Sequence, residues 1–382
     1  MQTPLRTKTK EFLQKFKISR INRRIISIVL GTKFVILLFG VQSFLLFSNQ
    51  KLTAFHQVLG IWNHWDAKNY INIANHGYGA SGENSFTLVF FPFYPFLISA
   101  FNFLTNDAVL SAFIISGIAS VFLGFLFYKL VKLDYSEKTA MSSVWFLFIF
   151  PTSYFLHIPY TESLFLALII GSFYFCRKRL WFLAGLLGFF ACATRINGLI
   201  LCLALPFELL ADFKENRKTD KKWLWLGLIP CGFAAYLLLN YVVTGNFLAF
   251  LAIQKNNFQK YMAFPWKAIR EKMKYVYLHP QATGLSEGLF ELIFTGIALL
   301  AIVLGWRYLR NSYRVWMIAS WLLFVSTSWL LSVPRYVLTM FPLFILMAIA
   351  ARNSLLNVLM TTFSILYLAM FIISFVQNRW AF

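Results

Sequence analysis

The sequence predicts an all-α polytopic membrane protein, with about eleven transmembrane helices and further interfacial helices in its first extracytoplasmic loop. Three observations predict it. Of 382 residues, 59% are hydrophobic and only 13% charged, about half the roughly 25% that a soluble domain carries. The apolar residues fall in runs near the roughly 20 needed to cross a bilayer as a helix. The short alternating strands of a membrane β-barrel are absent. An ordinary soluble enzyme, a disordered chain and a disulfide scaffold are excluded. The four cysteines lie in apolar runs without a CxxC pair and point to neither a metal nor a redox compartment.

Taken in order, residues 1–24 carry Arg6, Lys8, Lys10, Lys15, Lys17, Arg20, Arg23 and Arg24 against the single acid Glu11. This is expected to be a basic cytoplasmic segment lying against anionic lipid. The run 25–47 is the first span, and 48–107 the first extracytoplasmic loop. Within that loop Pro92 and Pro95 break the apolar run 86–104 and leave about 10 residues after the second proline. A piece that short is interfacial rather than spanning. Counting it as a span would also turn Lys129, Lys132 and Lys138, and the cluster from Lys214 to Lys222, outward.

Spans follow at 108–131, 139–157, 160–176, 180–194, 197–211, 222–243, 285–306, 314–331, 336–350 and 354–376, with the N-terminus in and the C-terminus out. Most of the 35 Lys and Arg then lie inside. The exception is the long extracytoplasmic loop 244–284. The whole chain, 1–382, reads as one integral domain of the plasma membrane. The net charge of +21, which in a soluble protein would suggest nucleic acid, is here assigned to topology, and no nucleic-acid partner is expected.

The polar motifs and all five histidines collect on the outer face, so a site is expected there, built from several loops. Seven acids face outward. Glu287 and Glu291 suit the first turn of a span, Asp107 a helix cap, and Glu271 a surface pair. Asp66, Glu83 and Glu162 remain. Asp66 stands in His64-Trp65-Asp66-Ala67 with Tyr70 one turn on. A carboxylate bracketed by aromatic groups at the membrane is costly unless used or paired, which suits a general base. The plain alternative is a polar cap on an interfacial helix.

Glu162 follows Tyr160 at a span start, where it also reads as a first-turn acid. Arg195 and Arg335 sit at span ends beside Asn197 and Tyr336, on the face the inside rule disfavours. They read either as snorkelling arginines or as phosphate ligands. Lys255, Lys260 and Lys267 could join them. His64, His76 and His157 have no HxxxH or HExxH spacing, so neither a metal nor a cofactor is expected. There is no GxxxxGK nucleotide loop.

The motifs HWDAKNYINIANHGY, FFPFYP, PYTES, TRING, TGNFLAFLAIQ and PRYVLTMFPLF, running from about 60 to 345, resemble in order those of the relatives of GPI mannosyltransferase II (PIG-V type). This family belongs to the GT-C glycosyltransferases. The resemblance implies an inverting transferase that takes a sugar, mannose by family, from a polyprenyl-phosphate donor at the extracytoplasmic face and passes it to a lipid- or glycan-linked hydroxyl. It implies that Asp66 is the base of the first loop. Some family members carry a second loop acid where this chain has Ala67. Arg195, Arg335, Lys255, Lys260 and Lys267 are then candidates for the phosphate. His64, Trp65, Tyr70, Glu83, Tyr94, Tyr160, Glu162, Asn197 and Tyr336 are candidates for the substrates, with Trp62. The competing class is a lipid or oligosaccharide flippase, which would need charged groups in mid-span. Lys33, taken to lie in the first turns of span one, is the only such group.

Overall fold

A proline-free apolar run from Arg20 makes the longest helix, α1 (Arg20–Phe47). The Ser19 hydroxyl starts it by accepting from the Asn22 N–H at 3.1 Å. The computed structural model describes residues 19–48, 50–80, 85–216, 221–280 and 285–382. The chain is 78% helical, with no strand among the described residues.

After α1 come α2 (Phe55–Gly60), α3 (Asp66–His76), α4 (Phe93–Thr105), α5 (Ala108–Lys132), α6 (Glu137–Ile149), α7 (Glu162–Arg177) and α8 (Trp181–Thr194). Next are α9 (Leu201–Asn216), α10 (Leu228–Thr244), α11 (Ala249–Phe258), α12 (Pro265–Leu278), α13 (Phe290–Gly305), α14 (Asn311–Val325), α15 (Val333–Leu338), α16 (Pro342–Ala350) and α17 (Ser354–Val376).

Among the described residues six helical segments are long and apolar enough to cross a membrane: Arg20–Phe47, Ala108–Lys132, Ile196–Glu215, Lys221–Thr244, Glu287–Gly305 and Ser354–Val376. The other five expected spans are shorter helices. The run 139–157 stops being helical at Ile149, ahead of Pro151, and a 3-10 turn at Ser153–Leu156 follows. The run 314–331 leaves the helix at Val325. Residues beyond it pair with another loop through the isolated Met262–Thr327 bridge. The run 336–350 resolves into α15 and α16, each with proline in its first turn. There proline's missing N–H costs the helix nothing. The proline-broken run 86–104 yields α4, only 13 residues long. Asp107 caps α5, accepting from the N–H groups of Val109 at 2.8 Å and Leu110 at 3.1 Å.

The centre is α7, buried nearly all round, as expected for a helix without a polar face. It packs between α5 and α8, and α8 packs on α10. Glycine permits that last approach: a Cβ on Gly232 would collide with the Phe189 carbonyl.

Polar groups gather at both ends of α7, about 22 Å apart at 1.5 Å per residue. One end carries Glu162. At the other, Arg177 bonds Asp134 at 2.5 and 2.8 Å, and Arg310 bonds Glu208 at 2.9 and 3.1 Å. These basic residues are thus committed to ion pairs. Two further expectations change. Lys33 is the fourteenth of 28 residues in α1 rather than in its first turns, and its Nζ bonds the Phe113 carbonyl at 3.3 Å. His157 is fully buried beside Thr32 and Phe148 instead of at a polar surface.

Candidate active site

Asp66 is the first residue of α3. The turn before it is anchored by Trp62, fully buried against Phe375 at 6.1 Å. Trp65 takes a positive φ of 53°, a region bulky residues avoid at a cost of roughly 1–3 kcal/mol. Its ring is held edge-on to Trp380 at 5.4 Å. α3 is seated by Tyr70, whose ring meets Phe90 at 5.2 Å and Tyr94 at 5.3 Å.

Arg335 comes from the far end of the chain, on α15. Ser332, at φ 60°, stands immediately before that helix. The backbone N–H groups of Ser332 and Val333 donate to the two oxygens of buried Glu291 at 2.7 and 2.6 Å. A carboxylate on two first-turn donors fixes where the helix starts. Arg195 leaves the end of α8 in extended backbone, and Asn197 follows in a 3-10 turn.

These pieces converge. Arg335 Nη1 donates to Asp66 Oδ2 at 2.7 Å, and Arg335 Nε lies 3.3 Å from Glu162 Oε1. Arg195 Nη1 donates to the same Glu162 oxygen, and to Thr161 Oγ1 at 3.1 Å. Glu162 is fully buried and both arginines nearly so, whereas the Asp66 side chain is 30% exposed. Burial opposes the charge on Arg335, yet Asp66 and Glu162 hold its pKa well above the ordinary value. Lys260 Nζ lies 5.4 Å from the Tyr336 ring, and the guanidinium carbons of Arg195 and Arg335 lie 5.5 and 5.9 Å from it. Burial, then Asp66, pushes the Tyr70 phenol up.

A cavity of ≈ 490 Å³ opens over this cluster. It brings together Trp65, Asp66, Tyr70, Arg195, Asn197, Lys260, Arg335 and Tyr336 from the sequence expectations. Others fall elsewhere. His64 lines a neighbouring cavity of ≈ 650 Å³ with Lys51 and Arg379, and its carbonyl accepts from the Tyr160 hydroxyl at 3.0 Å. Tyr94 is buried behind Tyr70, its hydroxyl 2.9 Å from that of Ser116. Tyr160 and Glu162 stand behind the arginines, as braces rather than as cavity wall. Lys255 is exposed on α11, outside the lining, and Lys267 donates to the Tyr261 hydroxyl at 2.7 Å. Glu83 lies outside the described residues.

Sequence reasoning missed Asn69, Gln254, Trp329, Trp380 and Phe382 in the cavity wall. Asn69 was readable, three residues after Asp66 on one helix face. The others come from distant segments joined only by folding. Among the described residues no group of three His, Cys, Asp or Glu side chains comes together as a metal site. Chemically, the described residues of the cavity wall offer one partly exposed side-chain carboxylate able to take a proton and three cations able to hold an anion. No protein-family model, curated protein or solved structure matches the chain.

Proposed function

We propose that the chain is an inverting GT-C-type glycosyltransferase with eleven spans and a cavity at the extracytoplasmic face of the plasma membrane. It moves a hexose, mannose by the resemblance, from a polyprenyl-phosphate-sugar donor to a lipid- or glycan-linked hydroxyl, without a metal. One observation carries the reading: a partly exposed carboxylate shares a cavity with more positive than negative charge, at the end of an apolar bundle. Arg195, Arg335 and Lys260 stand against Asp66 and Glu162. Among the described residues one net positive charge remains, matching the single charge of a phosphodiester such as a polyprenyl-phosphate sugar.

In the proposed reaction the acceptor oxygen attacks the anomeric carbon opposite the phosphate and gives its proton to Asp66. The bond from that carbon to the phosphate oxygen breaks, and the electron pair leaves on the phosphate. Arg335 holds Asp66 Oδ2 and so aims Oδ1, which has no partner among the described residues. The added charge on the leaving phosphate is met by Arg335, Arg195 and Lys260. Trp65 and Tyr70 shape the sugar pocket. General-base help of this kind contributes about 10²–10⁴-fold.

The test is Asp66→Asn, purified and given radiolabelled polyprenyl-phosphate-mannose with membrane lipid. The amide keeps an oxygen for Arg335, so the variant should fold and bind donor while turnover falls by about 10² or more. Near wild-type turnover removes Asp66 as the base. The flippase reading is favoured by Lys33, a charged group in the middle of α1 beside His157. It is separated by Lys33→Met, which would abolish translocation of a labelled lipid in vesicles yet leave transfer intact.

A further inference from the structure

Between the membrane-crossing segments Lys221–Thr244 and Glu287–Gly305, α12 turns two unlike faces outward and inward. Its outer residues are Trp266, Arg270, Met273, Lys274 and Tyr277, spaced at four, three, one and three positions, which is one helical stripe. Trp266 is 63% exposed, Met273 59% and Tyr277 84%. Phe264, stacked on Trp266 at 4.6 Å, extends the stripe. A shallow cleft of ≈ 530 Å³ runs along it. Among the described residues Arg270 has only an exposed contact with Glu271 at 3.3 Å, and Lys274 has no acidic partner. In water such a stripe would be a standing cost. At a headgroup layer, tryptophan and tyrosine lie at their preferred depth and each cation meets a lipid phosphate.

The inner face is tied to the cavity. Lys272 Nζ bonds the Glu287 carbonyl at 2.9 Å and lies 5.4 Å from the ring of Trp329, a cavity residue. Just before the helix, Ser328 N–H donates to the Tyr261 carbonyl at 2.8 Å, and Ala263 N–H to the Ser326 carbonyl at 3.1 Å. Lys260 therefore reaches the cavity from a strand of chain that α12 anchors on one side and residues 326–328 anchor on the other.

We propose that α12 seats on anionic phospholipid, with Trp266, Met273 and Tyr277 in the interface and Arg270 and Lys274 on lipid phosphates, and that this seating holds Lys260 and Trp329 in the cavity wall. The docking rests on the apolar segments that flank α12; only the use of the cavity that Lys260 and Trp329 line rests on the proposed transferase reading.

The full chain is placed in nanodiscs of phosphatidylcholine alone, or with phosphatidylglycerol added, and amide exchange is followed over residues 261–278. Exchange should slow at least about fivefold with phosphatidylglycerol. The double variant Arg270→Glu, Lys274→Glu should lose that difference while its melting temperature holds. Equal exchange in the two lipids, or a difference that survives charge reversal, overturns the proposal. Lipid-dependent protection without sugar transfer in either lipid leaves the docking standing and counts against the transferase.

Discussion

Asp66 and Arg335 stand 269 positions apart in sequence and 2.7 Å apart in space. Asp66 was legible because its neighbours are unusual for a carboxylate, and Arg335 because the topology expected from the sequence puts it on the face that the inside rule disfavours. That the two form one unit was not legible, since no local pattern encodes a contact so distant. Glu162 shows the reverse: its place in a first turn was readable, but its role as a buried brace for two arginines was not.

Tyr336 carries a prediction at the same scale. Its ring lies 5.4 Å from Lys260 Nζ and 5.5 and 5.9 Å from the guanidinium carbons of Arg195 and Arg335. A ring face among three cations contributes about 0.5–1 kcal/mol for each well-placed contact. Tyr336→Leu should therefore lower stability by about 1 kcal/mol, read by thermal unfolding in detergent, whereas Tyr336→Phe, which keeps the ring, should hold it. Equal losses in the two variants would mean that the hydroxyl, not the ring, matters.

At the scale of elements, α15 is placed by Glu291. That residue was expected to be an ordinary first-turn acid; its carboxylate instead crosses to the start of another helix. Glu291→Gln keeps the size but loses charge on one oxygen and turns the other position into a donor facing a donor. We expect a loss of about 2–3 kcal/mol in stability, measured by thermal unfolding in detergent. Because α15 carries Arg335, donor binding should weaken as well. A variant with lower stability and unchanged donor affinity would show that Arg335 is placed by other contacts. The short helices α15 and α16 were read as one run because their composition is uniformly apolar. The break between them comes from Pro342 and the turn before it.

For the molecule as a whole, the ion pairs at the end opposite the cavity tie α7, α9 and the approach to α14 together. Glu208 is 5% exposed and accepts from both Arg310 and Ser312. Glu208→Leu should cost about 2 kcal/mol by leaving Arg310 without its main partner. Since the cluster lies about 22 Å from Glu162 along α7, any transfer activity measured at low temperature should hardly change. A large loss of turnover with unchanged melting would show instead that the two ends are coupled.

The sequence alone determined the helical character, the apolar helices long enough to cross a membrane, the interruption at Pro92 and Pro95 and the charged residues of the cavity. Each of these follows from hydropathy, from proline's missing N–H or from a polar group where a polar group is costly. Only the tertiary structure decided which carboxylate meets which arginine, that His64 and Tyr94 stand outside the cavity, and that Trp329 and Trp380 close it. Those outcomes depend on how uniformly apolar helices rotate and cross. When a helix such as α7 is buried on every side, its sequence carries no stripe to say which way it turns.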